Sequence, residues 1–298
     1  MRAWARAAAS AAATVADRPQ LWVPGGLAWL LTIGWLALLG GVARPPSAGE
    51  LTVLGAGFVT SGAWPWNLVA ILAGALIVAV SAAALVTLAE VALLVGAPGV
   101  SADPRRALAI TIVCWLPVAL AGAMVAFGVA AVAVIEFNSP TDVGGPVIRI
   151  ALRLLPLIGL ALLVAVSSAA LHAAALRGLA GGASTIGALR KAPRTLARSG
   201  VAAVVHLLAS TLLRLGYLSL AAVLLRVLWA PIEQRLALDG IDGASALLLV
   251  GFVAIWLCLI LGGGALHAWG SVAWTRILET AAEDRGTASP TVEMTAQP

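Results

Sequence analysis

Five ionisable side chains stand inside long apolar stretches of the sequence, and they are the first candidates for chemistry: Glu90, His172, His206, Arg214 and His267. Ionisable groups are costly in an apolar environment, so each is a candidate for function. One acid and three histidines at a common depth could bind a divalent metal ion or pass protons. No HExxH or related zinc spacing is present, and we expect no bound metal or cofactor. An equally simple interpretation is that each histidine bonds a neighbouring carbonyl or serine.

Arg214 lies deeper than the other four. At helical rise, its distance from the nearer end of its apolar stretch is about 21 Å, close to the middle of a bilayer. A charge there costs about 2.5–3.5 kcal/mol, so the side chain should face protein or water rather than lipid. Three interpretations of Arg214 follow: it pairs with Glu90, it contacts Tyr217, or it binds an anionic substrate.

Two further arginines, Arg149 and Arg153, are one helical turn apart near the end of an apolar stretch. Side chains four residues apart lie on the same helix face, so both can reach one acid. We expect them to pair with Glu136 or Asp142.

The elements that carry these residues are membrane helices. The 298-residue chain is 61% hydrophobic and 10% charged, with a mean hydropathy of +1.03. A soluble domain carries about 25% charged residues, and a membrane helix needs about twenty apolar residues. The sequence therefore predicts an all-α polytopic membrane protein with six spans, a short interfacial segment at 1–18 and a flexible tail at 279–298. The predicted spans are 20–42, 67–95, 107–135, 150–176, 201–229 and 244–275.

Cations are distributed unevenly between the two sides of these spans. Twelve fall beside the ends that share a side with the N-terminus, five fall on the other side, and Arg214 is left inside. Cytoplasmic connections are enriched in Lys and Arg, so we expect both termini to be cytoplasmic in a bacterial inner membrane. The net charge of +5 comes from residues beside spans, so it indicates topology rather than nucleic-acid binding.

Short segments recur along the chain. ADRPQ (16–20), ADPRR (102–106) and KAPRT (191–195) each put Pro beside Arg ahead of a pair of spans. SAAALV (81–86), SSAALH (167–172) and GGGALH (262–267) recur in the second span of each pair. Pro suits the first turn of a helix, where its missing N–H has no partner to lose. We therefore predict three pseudo-repeated helical hairpins.

The densest basic stretch contains Arg190, Lys191, Arg194 and Arg198. In a helix, the arginines would share one face, while Ile186, Leu189 and Leu196 would occupy another. This pattern predicts an amphipathic segment whose cations contact anionic lipid headgroups at the inner leaflet.

The same stretch carries a family resemblance. RGLAGGASTIGALRKAPRTLARS (177–199) resembles the connector of a broad group of bacterial six-helix membrane proteins, including the membrane domain that precedes some glycerophosphodiester phosphodiesterases. The matching positions are Arg177, Gly178, Ser184, Ala188, Leu189, Arg190 and Pro193. The resemblance implies a six-helix fold over residues 1–278. It implies no activity, because the sequence contains no catalytic barrel.

Three functions remain open on the sequence. The first is a non-enzymatic membrane protein that supports transport, lipid handling or assembly of a complex with a membrane partner or a second copy. The second is a small carrier or channel with Arg214 and Glu90 in its pathway. The third is a metal-dependent membrane enzyme that uses His172, His206 and His267.

Overall fold

The computed structural model describes residues 2–43, 46–95, 103–138, 145–238, 240 and 242–283. The described residues form helices and no strand, which confirms the all-α prediction. Arg44, Asp142, Arg285 and most of the predicted tail lie outside the described residues. The helices are α1 (Arg2–Asp17), α2 (Trp22–Trp29), α3 (Trp35–Val42), α4 (Ala48–Val59), α5 (Trp66–Val95), α6 (Pro104–Asn138), α7 (Gly145–Ala180), α8 (Thr185–Leu238) and α9 (Gly243–Glu283).

Six helical segments are long and apolar enough to cross a membrane, as the sequence predicts. The first, Pro19–Val42, joins α2 to α3 through a π-helical turn at Leu30–Gly34 and begins with a short 3₁₀ turn at Pro19–Leu21. The other five are α5 to α9. Helices satisfy their own backbone groups, which is what a lipid environment requires.

The span helices α5 to α9 all extend beyond their predicted limits, and the start of α8 and the end of α9 show why. α8 starts at Thr185 instead of 201, because the basic stretch is itself helical and is joined to the span by a kink at Gly200. Gly200 has φ 48°, a left-handed conformation that glycine adopts without steric cost. α9 continues to Glu283, past the predicted start of the tail at 279, because Ile277 and Leu278 are still buried and helix-forming alanines follow.

The basic stretch also packs against the bundle. Its buried face is formed by small residues, Ala188, Ala192 and Ser199. Leu189 and Leu196 pack partly against the same core. Ile186 is 65% exposed, and its predicted place on an apolar face toward the membrane interface stays a prediction. Small side chains form the buried face because they let α8 approach α7 closely.

Glycines determine how the first and sixth spans meet. A Cβ at Gly25 would collide with the backbone carbonyl of Gly264, and a Cβ at Gly264 would collide with the carbonyl of Trp22. The ring of Trp29 lies where a Cβ of Gly263 would be. Only glycine permits this approach, so α2 and α9 form a close backbone contact at the centre of the bundle.

α1 packs beside the end of α9. The indole N–H of Trp269 donates to the Ala8 carbonyl at 3.0 Å, and Arg276 donates to the Thr14 hydroxyl at 3.1 Å. This end of the bundle also carries Arg18, Arg177 and the basic stretch, and we call it the basic end.

The opposite end is the distal end, where Arg149 and Arg153 both bond the buried Glu136 at 2.6 and 2.7 Å. Their predicted pairing with Glu136 is confirmed. At the start of α9, Asp242 and Ser245 exchange hydrogen bonds. The amide and hydroxyl donors of Ser245 lower the pKa of the Asp242 carboxyl.

The pseudo-repeat stays a prediction. Consecutive spans contact each other in all three pairs. Their connections differ, however, because α4 lies between the first two spans, whereas residues 139–144 alone join α6 to α7. Equivalent helix crossings in the three pairs would be needed to establish a repeated unit.

Candidate functional site

A network of polar side chains lies inside the basic half of the bundle, and Glu90 of α5 is at its centre. Glu90 Oε1 accepts a hydrogen bond from His267 Nε2 at 2.7 Å, and Oε2 accepts one from Ser271 Oγ at 2.9 Å. The Glu90 side chain is 16% exposed and that of His267 is 5% exposed. Both carboxylate oxygens are therefore held by α9, which fixes the position of the negative charge.

Arg177 joins α7 to the same face of α9. Its Nε donates to Thr275 Oγ1 at 3.0 Å, and Nη1 donates to the Ala173 carbonyl at 2.9 Å. Nη2 donates to the carbonyl oxygen of Ser271 at 2.5 Å and to its hydroxyl at 2.9 Å. All three guanidinium nitrogens are thus in use. Since Ser271 also bonds Glu90, it places the cation of Arg177 next to the only acid of the network core.

A third part of the network links α5, α6 and α7. His172 Nε2 lies 2.7 Å from Thr111 Oγ1, which lies 2.7 Å from Thr87 Oγ1. Thr87 and Thr111 also bond carbonyls of their own helices. Both threonine hydroxyls and His172 Nε2 have a partner, so the three side chains act as a structural connection between spans.

His206 and Arg214 of α8 both reach Gly270 of α9. His206 Nε2 donates to the Gly270 carbonyl at 3.1 Å, and its ring meets Trp274 edge to face with centroids 5.0 Å apart. Arg214 Nη2 lies 3.0 Å from where a Cβ of Gly270 would be. The absent side chain at 270 therefore makes room for the guanidinium.

Arg214 makes no hydrogen bond or ion pair within the described part of the chain, and its Nε is fully buried without a partner. Glu90 is the acid that interacts with it electrostatically, from beyond ion-pair distance. Tyr217, the other suggested contact, instead donates to the Leu259 carbonyl at 2.8 Å.

A cavity of about 780 Å³ opens at the basic end, between α1, α5, α7, α8 and α9. Its walls are apolar or small, with Leu21, Leu94 and Ala188 among them. Arg177, Ser271 and Thr275 also line it, so the cavity touches the network that holds Glu90. The other charged residues of its lining are Asp17, Arg18, Lys191, Arg276 and Glu279.

The structure brings the five candidates from the sequence to one half of the bundle, where Glu90 and His267 bond each other and His172 and His206 have other partners. The described residues contain no group of three or more His, Cys, Asp or Glu that could hold a metal ion. Of the four basic-stretch cations, Lys191 lines the cavity, whereas Arg190, Arg194 and Arg198 do not. Their contact with anionic lipid stays a prediction.

Sequence reasoning missed Arg177, Ser271, Thr275 and the threonine pair. Arg177 was assigned to a connection because it follows the end of an apolar window. A signal was available in the spacing of His267, Ser271 and Thr275, which recur every four residues and so share one face of α9. His206, Ser210 and Arg214 form a similar stripe on α8.

Chemically, the site can hold fixed charges away from water and can bind a polar or anionic group at the cavity. The network holds one carboxylate, Glu90, so it offers no pair of acids for acid–base catalysis. No protein-family model matches the chain, and comparisons with curated proteins and with solved structures also found no match.

Proposed function

We propose that this protein is a non-enzymatic protein of a bacterial cytoplasmic membrane that handles lipid, binding the headgroup of an anionic lipid in the cavity at its basic end. The observation that carries the proposal is the lining of that cavity, which combines apolar walls with four cations and two acids. Lipids present the same combination, a charged headgroup joined to acyl chains.

The charge of the lining favours an anionic headgroup. Arg18, Arg177, Lys191 and Arg276 outnumber Asp17 and Glu279. Lys191 is exposed on α8 at the cavity, where its ammonium group can meet a phosphate. Arg177 is held by α7 and α9, so it supplies a fixed positive charge rather than a mobile donor.

The surroundings of the cavity support the same proposal. Arg190, Arg194 and Arg198 lie on the same helical segment, and each cation near an anionic leaflet contributes on the order of 1 kcal/mol of attraction. With the basic end on the cytoplasmic side, these residues would concentrate anionic lipids around the cavity mouth.

The test compares two variants that remove one positive charge each from the same segment, Lys191→Gln inside the cavity and Arg198→Gln outside it. The purified proteins are incorporated in nanodiscs of phosphatidylcholine with increasing phosphatidylglycerol, and Tm is followed by tryptophan fluorescence. We expect phosphatidylglycerol to raise Tm of the parent and of Arg198→Gln, with a clearly smaller rise for Lys191→Gln. Equal rises in both variants would contradict a headgroup site in the cavity.

Soluble glycerol 3-phosphate, added to the protein in phosphatidylcholine alone, separates a lipid from a free phosphate compound. A lipid site predicts little response, because the acyl chains are missing. A full, Lys191-dependent response to the soluble compound would identify a water-soluble phosphate as the ligand and would overturn the lipid proposal.

A carrier or channel is the second candidate, favoured by one observation. Ser271 and Arg177 line the cavity and also contact each other, and Ser271 bonds Glu90, so polar groups continue from the cavity into the bundle. Neither Glu90 nor Arg214 lines the cavity itself. Flux of protons or small anions into proteoliposomes, lost in Glu90→Gln but retained in Lys191→Gln, would favour this candidate over lipid binding.

A further inference from the structure

A short helix at the distal end, α4, lies outside the predicted spans and has an apolar outward face. Val53 and Leu54 are 68% and 65% exposed, and Leu51 is 40% exposed. The sequence contains no charged residue between Glu50 and Glu90. A helix that packs on a protein with one side and faces water with the other carries polar residues on the second side. The outward face of α4 does not have this pattern.

The polar groups of α4 bond within the helix and its cap. At the first turn, Ser47 and Glu50 form a capping box, in which the Glu50 carboxylate accepts from the Ser47 amide at 2.6 Å. The Thr52 hydroxyl is buried and donates to the Ala48 carbonyl at 2.8 Å. The other side chains of α4 are apolar, so they offer water no hydrogen bond.

The opposite face of α4 packs on the distal ends of α6 and α7. The ring of Phe137 lies where a Cβ of Gly55 would be. Val59 is buried in the same cluster as Phe137 and Ala133, and Ile150 of α7 packs against that cluster. One side of α4 is therefore held by the bundle, and the exposed side chains point away from it.

Charged and aromatic residues nearby indicate the depth of α4 relative to a bilayer. Arg149 and Arg153 of α7 bond Glu136 of α6 on the turns that α4 contacts. Charged side chains near the ends of spans reach the membrane interface. Trp66, at the start of α5, is 75% exposed, and tryptophan is enriched at the same depth. These residues place α4 at the edge of the hydrocarbon core rather than at its centre.

The exposed surface of the neighbouring spans is apolar at the same level. Ile135 of α6 and Ile148 of α7 are both exposed, and they lie on the turns that contact α4. The apolar surface that these two spans present to lipid therefore continues onto the outward face of α4.

We infer that α4 is a membrane-associated helix that does not cross the bilayer and whose outward face contacts the acyl chains of the leaflet at the distal end. Its 12 residues extend about 18 Å, too short for a hydrocarbon core about 30 Å thick. Helices of this kind bury an apolar face about 5–10 Å into the boundary between headgroups and acyl chains. The partner of Leu51, Val53 and Leu54 is therefore lipid. This role is independent of lipid binding in the cavity and of which side is cytoplasmic.

Spin labels on single cysteines test the inference. Cys114 and Cys258 are first replaced by alanine, since both are free thiols. Leu54→Cys is the test position, Leu247→Cys is the lipid-facing reference on α9, and Glu233→Cys is the water-facing reference at the distal end. In phosphatidylcholine vesicles, collision rates are measured with oxygen, which concentrates among acyl chains, and with a water-soluble nickel chelate.

We expect the label at Leu54 to collide more with oxygen than with nickel, as at Leu247, and the label at Glu233 to show the reverse. A label at Leu54 that meets nickel as readily as the label at Glu233 would show that α4 faces water and would overturn the inference. An immobilised label that neither reagent reaches would also overturn it, because a second protein surface would then cover α4. Val53→Cys repeats the measurement on the same face, so the test does not depend on one variant folding.

Discussion

At the scale of single residues, Glu90 is the acid at the centre of the polar network in the basic half of the bundle. It bonds His267 and Ser271 on α9, and it lies within electrostatic reach of Arg177, Arg214 and His172. Removing one member of a buried charged group leaves the others uncompensated, and this costs more than the lost contact itself. Glu90 should therefore matter to stability, whatever its part in function.

Glu90→Gln is predicted to destabilise the protein by about 3–5 kcal/mol, because Arg177 would lose its nearest buried counter-charge. Glutamine keeps the size of the side chain, so the effect reports the charge rather than a cavity. Glu233→Gln is the matched control, since Glu233 pairs with Arg226 in an exposed ion pair worth about 0–1 kcal/mol.

Unfolding in detergent, followed by tryptophan fluorescence or circular dichroism, measures both changes. If Glu90→Gln were no more destabilising than Glu233→Gln, the network would be hydrated and its charges screened. The description of Glu90 as a charge held away from water would then be wrong.

The sequence singles out candidate residues of the site but not how they pair. Glu90, the histidines and Arg214 stand out because they interrupt apolar stretches. Their pairing depends on helix rotation, and apolar residues surround every face of these helices. The link from Glu90 to Ser271 joins residues 181 positions apart, and no local pattern encodes that contact.

At the scale of helices, the glycines of α9 determine which large groups it can accept. Gly262 lies against the Tyr217 hydroxyl, Gly263 against Trp29, and Gly264 against the backbone of α2. In lipid there is little hydrophobic drive to bring helices together, so close packing of small residues carries much of their association. This run of glycines also explains why α9 contacts both α2 and α8.

Gly264→Ala is predicted to destabilise the bundle, by about 1–3 kcal/mol, because its methyl group would collide with the α2 backbone and force the helices apart. Gly251→Ala is the control, on the same helix but with nothing within 4 Å of the added carbon. Alanine is the better helix former by about 1 kcal/mol, so the control should be neutral or stabilising. An equal decrease in Tm for the two variants would contradict a tight contact between α2 and α9.

The helices themselves could be predicted well from the sequence, and their limits less well. Long uncharged windows identified all six spans, because a bilayer requires helices of that length. α8 was shortened at its start because the basic stretch has the composition of a connection, although it is helical up to Gly200. The sequence did not indicate which face this stretch buries against the bundle, where alanines make the contact.

At the scale of the whole molecule, the two ends of the bundle differ in charge. The basic end carries the cavity, the cations of the 185–199 segment and the contact of α1 with α9. At the distal end, Arg149, Arg153 and Arg226 are each bonded to an acid, as Arg106 is to Asp103 at the basic end.

This asymmetry predicts that both termini face the cytoplasm. Cations near span ends are retained on the cytoplasmic side during insertion, and here they divide twelve to five in favour of the basic end. Ser47, ahead of α4, and Gly187, in the basic stretch, lie at opposite ends of the bundle. Reporter domains active only outside or only inside the cell, inserted after each residue, should therefore give opposite signals, with Ser47 outside. The same signal at both positions would contradict six spans. Reversed signals would place the cavity and its cations on the outer face, where the proposed pairing with inner-leaflet lipids could not occur.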